Sequence, residues 1–214
     1  MDLSSKMRDA LLRRTVNRIA KRYPSQLPSK ADLLTLHFAW GNIGFMASLS
    51  YLKKIAVAVH ETKGPILECG SGLTTILMGI LARGRGISIY SLEHHSVWQI
   101  RMREVMDSFG FDHVKIIDAP LKDFGEYDWY HFEKNALPQN IELVVCDGPP
   151  GNIKGSRYGL IPEMNDYLSD NCTILLDDAN RRNEKQVMEN WRVRHGFRYE
   201  LEGVFQKFAL VNRA

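Results

Sequence analysis

Residues 65–75 read "PILECGSGLTT", and this stretch decides the fold. A short apolar run contains an acid, Glu68, near its end, and two glycines, Gly70 and Gly72, follow before an apolar helical pattern begins. Glycine at these positions allows the backbone to pass close to a ligand at the first turn of a helix. The stretch therefore predicts a strand, a ligand-binding turn and a helix in succession.

The same alternation of strand and helix continues to the end of the chain. Later apolar runs cover residues 87–93, 113–119, 141–147 and 172–178. Helical patterns cover residues 73–82, 95–109, 157–168 and 183–195. Apolar runs with helical crossovers between them are typical of a parallel sheet covered on both faces. The last two runs, residues 197–203 and 204–211, leave no room for a crossover and must be antiparallel neighbours. We expect an α/β fold, Rossmann-like and doubly wound, with a mostly parallel seven-stranded sheet and an antiparallel last strand.

The first 63 residues are interpreted as an N-terminal helical extension before a domain over residues 64–214. Residues 2–22 place apolar side chains at three- and four-residue spacing, which predicts an amphipathic helix, and a second helix is expected over residues 38–60. Residues 1–30 hold eight Lys or Arg and two Asp, a charge of +6, so the rest of the chain carries −3. The first helix is expected to pack on the domain, to form a lid or an oligomer contact, or to touch an anionic surface.

Composition excludes several classes of protein. The 214 residues, 44% hydrophobic and 25% charged, suffice for one sizeable core. The negative body argues against a nucleic-acid partner, and Lys53 and Lys54 interrupt the apolar stretch that precedes the glycines, which argues against a membrane span. The first residues lack the pattern of a signal peptide, so a cytoplasmic location is expected. The three cysteines fall in predicted strands and are interpreted as core thiols.

The turn after Glu68 separates three classes of ligand. A Walker loop ends in Gly-Lys-Ser or Gly-Lys-Thr, which is absent, and the dinucleotide fingerprint has a third glycine where Thr75 stands. Glu68 would repel a pyrophosphate, whereas it suits a ligand with an ammonium and a sulfonium group. The turn therefore favours a cationic ligand.

Three features resemble the class I S-adenosylmethionine-dependent methyltransferases. An acid is followed by x-Gly-x-Gly after the first strand, Glu93 ends the second strand, and the last strand is antiparallel. The resemblance covers residues 64–212 and implies S-adenosylmethionine as cofactor, with Glu93 on both ribose hydroxyls and Asp118 at the adenine. The implied cofactor-binding residues are Glu68, Gly70, Ser71, Gly72, Thr74, Glu93, His94, Asp118, Ala119 and Asp147. A solvated strand end would explain any one of these acids, but it explains three consecutive strand ends poorly.

Asp147, in "DGPPG" at residues 147–151, follows the fourth strand, and Asp177 and Asp178 follow the fifth. Ligands of open α/β sheets lie outside the carboxyl ends of the strands, which predicts that Asp147 lies beside the transferable methyl group. The two Asp-containing pairs are similar to those of metal-dependent O-methyltransferases of the macrocin and mycinamicin sugar type. The resemblance implies Mg²⁺ or another divalent cation held by Asp147, Asp177 and Asp178. Alternatively, Asp177 caps a helix or points into the fold, and Asp178 faces solvent.

The acceptor side of the site is expected in loops. The aromatic insertion at residues 124–132 offers His131 as a general base if no metal is present, and the loop at residues 151–159 offers Tyr158 as a substrate contact. Asn152, Lys154 and Arg157 are candidates for binding an acidic substrate, although such loops are more often simply solvated.

The predicted activity is methyl transfer from S-adenosylmethionine to a small molecule, with a hydroxyl oxygen as acceptor and a divalent cation assisting. Three alternatives stay open. The first is a metal-independent N-methyltransferase, because "DGPP" partly resembles the Asp-Pro-Pro-Tyr loop of amino methyltransferases. The second is a non-catalytic S-adenosylmethionine-binding protein, and the third is a dehydrogenase that uses a nicotinamide cofactor. A homo-oligomer formed through the N-terminal helices is a further expectation.

Overall fold

The computed structural model describes residues 3–41 and 47–214. Three helices precede the sheet: α1 (Leu3–Arg22), α2 (Lys30–Trp40) and α3 (Leu49–Glu61). The single helix predicted over residues 38–60 is wrong. Gly41 ends α2 with a left-handed φ of 71°, and Ser48 caps the start of α3 by accepting from the Tyr51 amide. The part of this prediction at residues 42–46 lies outside the described residues.

The main sheet has seven strands. They are β1 (Ile66–Cys69), β2 (Ile89–Glu93), β3 (Val114–Asp118), β6 (Ile141–Cys146), β7 (Leu168–Leu176), β8 (Phe197–Glu202) and β9 (Phe208–Arg213). Their order is β3-β2-β1-β6-β7-β9-β8, and β9 alone runs antiparallel to its neighbours. The predicted fold class is confirmed. The sheet reverses its strand order between β1 and β6, which is where open α/β sheets bind ligands.

Two features were not predicted from the sequence. The insertion after β3 forms a two-stranded antiparallel hairpin, β4 (Leu121–Asp123) and β5 (Asp128–Tyr130). The helix predicted over residues 157–168 is reduced to α6 (Leu160–Met164) and a 3₁₀ turn, Asn165–Tyr167. Gly155 and Ser156, just before it, both have positive φ, 72° and 51°, so residues 151–159 form turns instead.

The remaining helices are α4 (Leu73–Ala82), α5 (Ser96–Phe109) and α7 (Arg182–His195). One hydrophobic core lies between the sheet and α1 to α5, and a second lies on the opposite face with α6, α7 and the hairpin. The sheet is therefore covered on both faces. The sulfur atoms of Cys69, Cys146 and Cys172 are free thiols inside the fold, as the sequence predicts.

The apolar side of α1 packs on its own chain. Leu12, Val16 and Ile19 are buried in the core shared with α4, and each buried aliphatic side chain contributes about 1.5–3 kcal/mol to folding. Arg18 and Arg22 bind the buried Asp32 of α2 at 2.9 and 2.5 Å, which joins the two helices. No helix among the described residues is long and apolar enough to cross a membrane. A homo-oligomer through these helices stays a prediction.

Candidate active site

The loops after β1 and β6 meet by backbone contact. The Asp147 and Gly148 amides both donate to the Cys69 carbonyl, at 3.0 and 2.6 Å. A Cβ on Gly70, whose φ is +90°, would lie 3.1 Å from the Gly148 Cα atom. Only glycine permits this conformation and this approach together. The turn at residues 70–72, called the glycine turn below, is thereby fixed beside Asp147.

The glycine turn leaves open space at its third residue. A Cβ added to Gly72 would meet nothing within 4 Å. The Gly72 amide donates to the Thr75 hydroxyl at 2.8 Å, and α4 begins at the next residue. An opening at a helix N-terminus, bordered by backbone, is a suitable place for a small ligand.

Glu68 lies inside the fold rather than at this opening. It is completely buried, and its carboxylate accepts hydrogen bonds from the Thr74, Thr75 and Ser91 hydroxyls at 2.6, 2.7 and 2.5 Å. Burial raises the pKa of Glu68 to about 7, although the three hydrogen bonds act in the opposite direction. The predicted ligand contacts of Glu68 and of the Thr74 side chain are not supported, because these groups bind each other and shape the turn.

Glu93, at the end of β2, is the acid that reaches the glycine turn. Its Oε2 atom accepts from the Ser71 amide at 3.1 Å and from the Ser71 hydroxyl at 2.7 Å, and its Oε1 atom accepts from the His95 amide at 3.0 Å. The Trp98 indole donates to the Ser71 carbonyl at 2.9 Å, which holds the turn from the other side. The carboxylate is therefore fixed by amide and hydroxyl donors, and the His94 Nδ1 atom lies 3.4 Å from its Oε1 atom.

Asp118 and Ala119 lie next to Glu93 at the end of β3. Asp118 pairs with Glu93 in the sheet register and is exposed, and the Ala119 amide donates to the Glu93 carbonyl at 2.8 Å. The His94 ring lies 6.1 Å from the Tyr130 ring. The structure thus brings Glu93, His94, Asp118 and Ala119 together at the ends of β2 and β3, and their role in cofactor binding stays a prediction.

The Tyr130 hydroxyl is a buried polar group at this site. It has no hydrogen-bond partner among the described residues, and a Cβ on Gly148 would lie 2.4 Å from it. Buried hydroxyls are nearly always hydrogen-bonded, so this group, between the hairpin and the β6 loop, is one that a bound ligand can satisfy. Together with the open space at Gly72, it shows that these residues fit a polar cofactor.

Asp147, Asp177 and Asp178 also come together, around the guanidinium of Arg157. We call these four residues the acidic cluster. The Arg157 Nη2 atom lies 3.2 Å from Asp147 Oδ1 and 3.2 Å from Asp178 Oδ2, and it also donates to the Asp147 carbonyl. Its Nη1 atom donates to the Asp177 carbonyl at 2.7 Å. One arginine therefore joins the carboxyl ends of β6 and β7.

The acids of the cluster differ in their electrostatic environment. Burial raises the pKa of Asp147 to about 6, and Arg157 only partly offsets this. Burial and the neighbouring Asp147 raise the pKa of Asp177 to about 7. Asp178 has a second cationic partner, because the Arg181 guanidinium lies 2.9 Å from its Oδ2 atom. Asp177 accepts from the Asp178 amide at 2.8 Å, so its carboxylate caps the local backbone.

This arrangement does not fit the predicted metal site. Across residues 3–41 and 47–214, no group of three His, Cys, Asp or Glu side chains is placed to hold a metal ion. The guanidinium occupies the position between Asp147 and Asp178 that a cation would need. Asp147, Asp177 and Asp178 therefore converge, but on an arginine, and metal binding by them stays a prediction.

His131 and Tyr158 lie at two different cavities. His131 is exposed and borders a cavity of about 360 Å³ beneath the hairpin, together with Phe124, Phe132 and Met164. The Tyr158 hydroxyl forms a 2.9 Å hydrogen bond with His195 of α7, beside a cavity of about 250 Å³. These contacts tie Tyr158 to α7 rather than to Asp147.

No protein-family model and no curated protein sequence matches this chain. Solved structures match over most of its length. An SAH-bound methyltransferase, PaMTH1 from Podospora anserina, has a TM-score of 0.63 at 16% identity, over 93% of this chain and 94% of that chain. A candidate O-methyltransferase from Klebsiella pneumoniae has a TM-score of 0.60 at 17% identity, over 92% and 96%. The C-terminal domain of precorrin-6Y C5,15-methyltransferase from Rhodobacter capsulatus has a TM-score of 0.55 at 12% identity, over 83% and 95%. The chain shares the Rossmann-like fold of these methyltransferases.

Within this methyltransferase fold, sequence reasoning missed the roles of two side chains. Arg157 stands in a polar, glycine-containing loop and was interpreted only as a candidate for an acidic substrate. The one signal available was electrostatic, because three adjacent acids require a counter-charge. Trp98 carries no motif, and its bond to the glycine turn follows from the packing of α5.

Proposed function

We propose that this protein is an S-adenosylmethionine-dependent methyltransferase that acts on an oxygen of a small molecule. One observation carries the proposal. The glycine turn, Glu93 and Asp147 meet at the point where the strand order reverses, beside open space at Gly72. The shared fold with methyltransferases, one of them SAH-bound, supports the same conclusion.

The cofactor is proposed to lie along the ends of β1, β2 and β3. The backbone of Gly70, Ser71 and Gly72 would border its methionine part, because the opening lies there. Glu93 would accept from both ribose hydroxyls in place of the Ser71 hydroxyl, a bidentate role that suits a carboxylate. The adenine is proposed to lie at Asp118 and Ala119, with His94 and the Tyr130 hydroxyl at its border. Glu68 and Thr74 act indirectly, through the shape of the turn.

The charge of this region supports a cationic ligand. Glu93 accepts from amides and a hydroxyl, and the exposed Asp118 stands beside it in the sheet. Neither acid forms an ion pair with Lys or Arg in the part of the chain that the structure describes; the His94 Nδ1 atom lies 3.4 Å from Glu93 Oε1. Attraction to a sulfonium and an ammonium group would be strengthened at a partly buried site.

Asp147 is proposed as the general base on the acceptor side. S-adenosylmethionine supplies an electrophilic methyl group when bound. Asp147 would take the proton of the acceptor hydroxyl as the new oxygen–carbon bond forms and the carbon–sulfur bond breaks, with its electron pair left on sulfur. Its pKa of about 6 and its 32% exposed side chain suit this task, because a base works best when its pKa lies near the working pH.

Other predicted roles enter the proposal with less weight. His131 is kept as a second base, because it is exposed and borders the cavity under the hairpin. Tyr158 is proposed only as a structural residue of the neighbouring loop, where it borders the second cavity. Divalent-cation assistance, which the sequence predicts, is left out, because a guanidinium occupies the place between the acids.

Ligand binding tests the proposal first. S-adenosylhomocysteine and NAD would each be added to the full chain in a thermal-shift assay. S-adenosylhomocysteine is expected to raise Tm, and NAD is expected to leave it unchanged. A response to NAD alone would identify a dehydrogenase and overturn the proposal.

Methyl transfer tests the proposal second. The protein is incubated with a metabolite extract and S-adenosylmethionine carrying a labelled methyl group, and products are identified by mass spectrometry. Label is expected on a small-molecule hydroxyl with the wild type and not with Asp147→Ala. Binding of S-adenosylhomocysteine without any labelled product would favour the non-catalytic alternative, and label on nitrogen would favour the N-methyltransferase.

A further inference from the structure

Arg157 is a cation built into the acidic cluster. Its side chain is only 2% exposed, and each of its three nitrogen atoms donates a hydrogen bond. Nε donates to the Pro149 carbonyl at 3.3 Å and Nη1 to the Asp177 carbonyl at 2.7 Å. Nη2 reaches the Asp147 carbonyl and, at 3.2 Å each, the carboxylates of Asp147 and Asp178. A buried guanidinium with these partners is a fixed part of the site.

The charges of the cluster are largely balanced without a metal. Asp147 and Asp178 each lie 3.2 Å from Arg157, and Arg181 lies 2.9 Å from Asp178. Two guanidinium groups therefore contact two of the three carboxylates. The third, Asp177, accepts from the Asp178 amide, and Arg157 donates to its backbone carbonyl. The repulsion between Asp147 and Asp178, which would favour a divalent cation between them, is thereby reduced.

A divalent ion at this place would have to displace the guanidinium. It would separate Arg157 from carbonyl groups after both β6 and β7 and leave a buried, unpaired cation. Removing one partner from a buried, hydrogen-bonded ion pair is strongly unfavourable. Carboxylates that already bind an arginine therefore compete poorly with water for Mg²⁺.

We infer that Arg157 takes the place of the divalent cation at this site, so that the protein positions Asp147 by a guanidinium and needs no metal. The inference rests on the proposed function only for the role of Asp147. Arg157 is a positioning residue. It holds Asp147 Oδ1 and the Asp147 backbone, while 32% of the carboxylate side chain stays open toward the acceptor.

Metal binding gives a test that does not depend on activity. The chelator-treated full chain is titrated with Mg²⁺ and with Mn²⁺ while Tm is recorded, for wild type, Arg157→Ala and Arg182→Ala. Arg182 is an exposed arginine in the first turn of α7 and serves as the matched control. Arg157→Ala leaves Asp147 and Asp178 facing a vacated position, which is a carboxylate site for a hard cation.

Wild type and Arg182→Ala are expected to change Tm by less than ~1 °C. The Tm of Arg157→Ala is expected to rise by about 3–6 °C when the metal concentration is about ten times the Kd of a weak carboxylate site. The gain should disappear in Arg157→Ala/Asp178→Asn. A purely structural role of Arg157 would lower Tm in the variant but would create no response to metal.

Saturable metal binding by the wild type that Asp178→Asn abolishes would overturn the inference. If Arg157→Ala does not fold, the wild-type titration decides, together with Arg157→Lys, which keeps a cation and is expected to stay unresponsive to metal. S-adenosylhomocysteine is titrated separately into chelator-treated wild type. Failure of that binding would count against the proposed function, whereas metal binding counts only against the role of Arg157.

Discussion

The carboxyl edge of the main sheet has two halves, and they differ in what neutralises their acids. At the ends of β1 and β2, Glu68 and Glu93 accept hydrogen bonds from hydroxyl and amide groups. At the ends of β6 and β7, Asp147 and Asp178 lie against guanidinium groups. Both halves satisfy their carboxylates, but only the second pairs them with guanidinium groups.

The difference explains how one edge can serve two partners. Glu93 forms no ion pair with Lys or Arg among the described residues, which suits the cationic cofactor that we propose. The arginine removes the need for a bound cation at Asp147 and keeps that carboxylate in one orientation. Gly70 and Gly148 bring the two halves into backbone contact, so cofactor and acceptor would meet between them.

Of the substitutions proposed, removal of Arg157 should have the largest effect on stability. It acts on the half of the sheet edge at the ends of β6 and β7. Arg157→Met removes a buried cation and leaves two half-buried carboxylates and three backbone carbonyls without its donors, so a loss of about 3–5 kcal/mol in the free energy of unfolding is expected. Urea denaturation measures this, and Arg182→Ala should stay within about 0.5 kcal/mol of wild type. A loss below about 1 kcal/mol would mean that the guanidinium does not hold the cluster together.

The free energy of unfolding should depend on pH through Glu68, which lies in the half of the edge at the ends of β1 and β2. Its pKa is raised from 4.5 to about 7 in the folded protein, so the folded state keeps a proton that the unfolded chain releases. Its contribution to stability is therefore complete below pH 4.5 and is lost as the pH rises to about 7. In Glu68→Gln this loss, about 3 kcal/mol, should be absent. Denaturation at several pH values checks this, and equal slopes for both proteins would contradict it.

Cofactor affinity should depend on Glu93. Glu93→Gln replaces one acceptor oxygen of the carboxylate by an amide NH2 group, which can only donate. The Kd for S-adenosylhomocysteine should therefore rise about 10- to 150-fold, which corresponds to the loss of a charged hydrogen bond of about 1.5–3 kcal/mol. Calorimetric titration measures it. Glu104→Gln, at an exposed position of α5, is the control and should bind like wild type. Unchanged affinity in Glu93→Gln would place the ligand elsewhere.

Two glycine substitutions should separate packing from binding. Gly148→Ala places a Cβ atom 2.4 Å from the Tyr130 hydroxyl and 3.0 Å from the Gly70 Cα atom, so a loss of stability of about 1–3 kcal/mol is expected.

The Cβ atom that Gly72→Ala adds meets nothing within 4 Å. This substitution should leave stability within about 0.5 kcal/mol of wild type while weakening S-adenosylhomocysteine binding. Tight binding by Gly72→Ala would show that the opening is not used.

The main features of the fold could be predicted from the sequence because they depend on pattern. Apolar runs with helical crossovers specify the parallel strands, and the short link before β9 specifies its reversal. Local backbone conformation was harder to predict. The end of α2 depends on the left-handed conformation of Gly41. The short α6 depends on a positive φ at Ser156, and serine is not a residue type that predicts positive φ.

The site could be predicted as a set of strand ends but not as a set of contacts. Glu93, Asp118 and Asp147 lie at the ends where the pattern places them. The direction of Glu68 depends on hydroxyls of α4 and β2, and the partner of Asp147 is Arg157, ten residues later in a turn. Both depend on tertiary packing, which strand periodicity does not specify.

A crystal structure of the full chain with S-adenosylhomocysteine and Mg²⁺ tests the central claim most directly. The account predicts the ligand between the glycine turn and Glu93, with its sulfur toward Asp147. It also predicts that the Arg157 guanidinium stays on Asp147 and Asp178 and that no metal binds them. A metal ion on Asp147 and Asp178 with Arg157 displaced, or the ligand bound away from Glu93, would contradict the account.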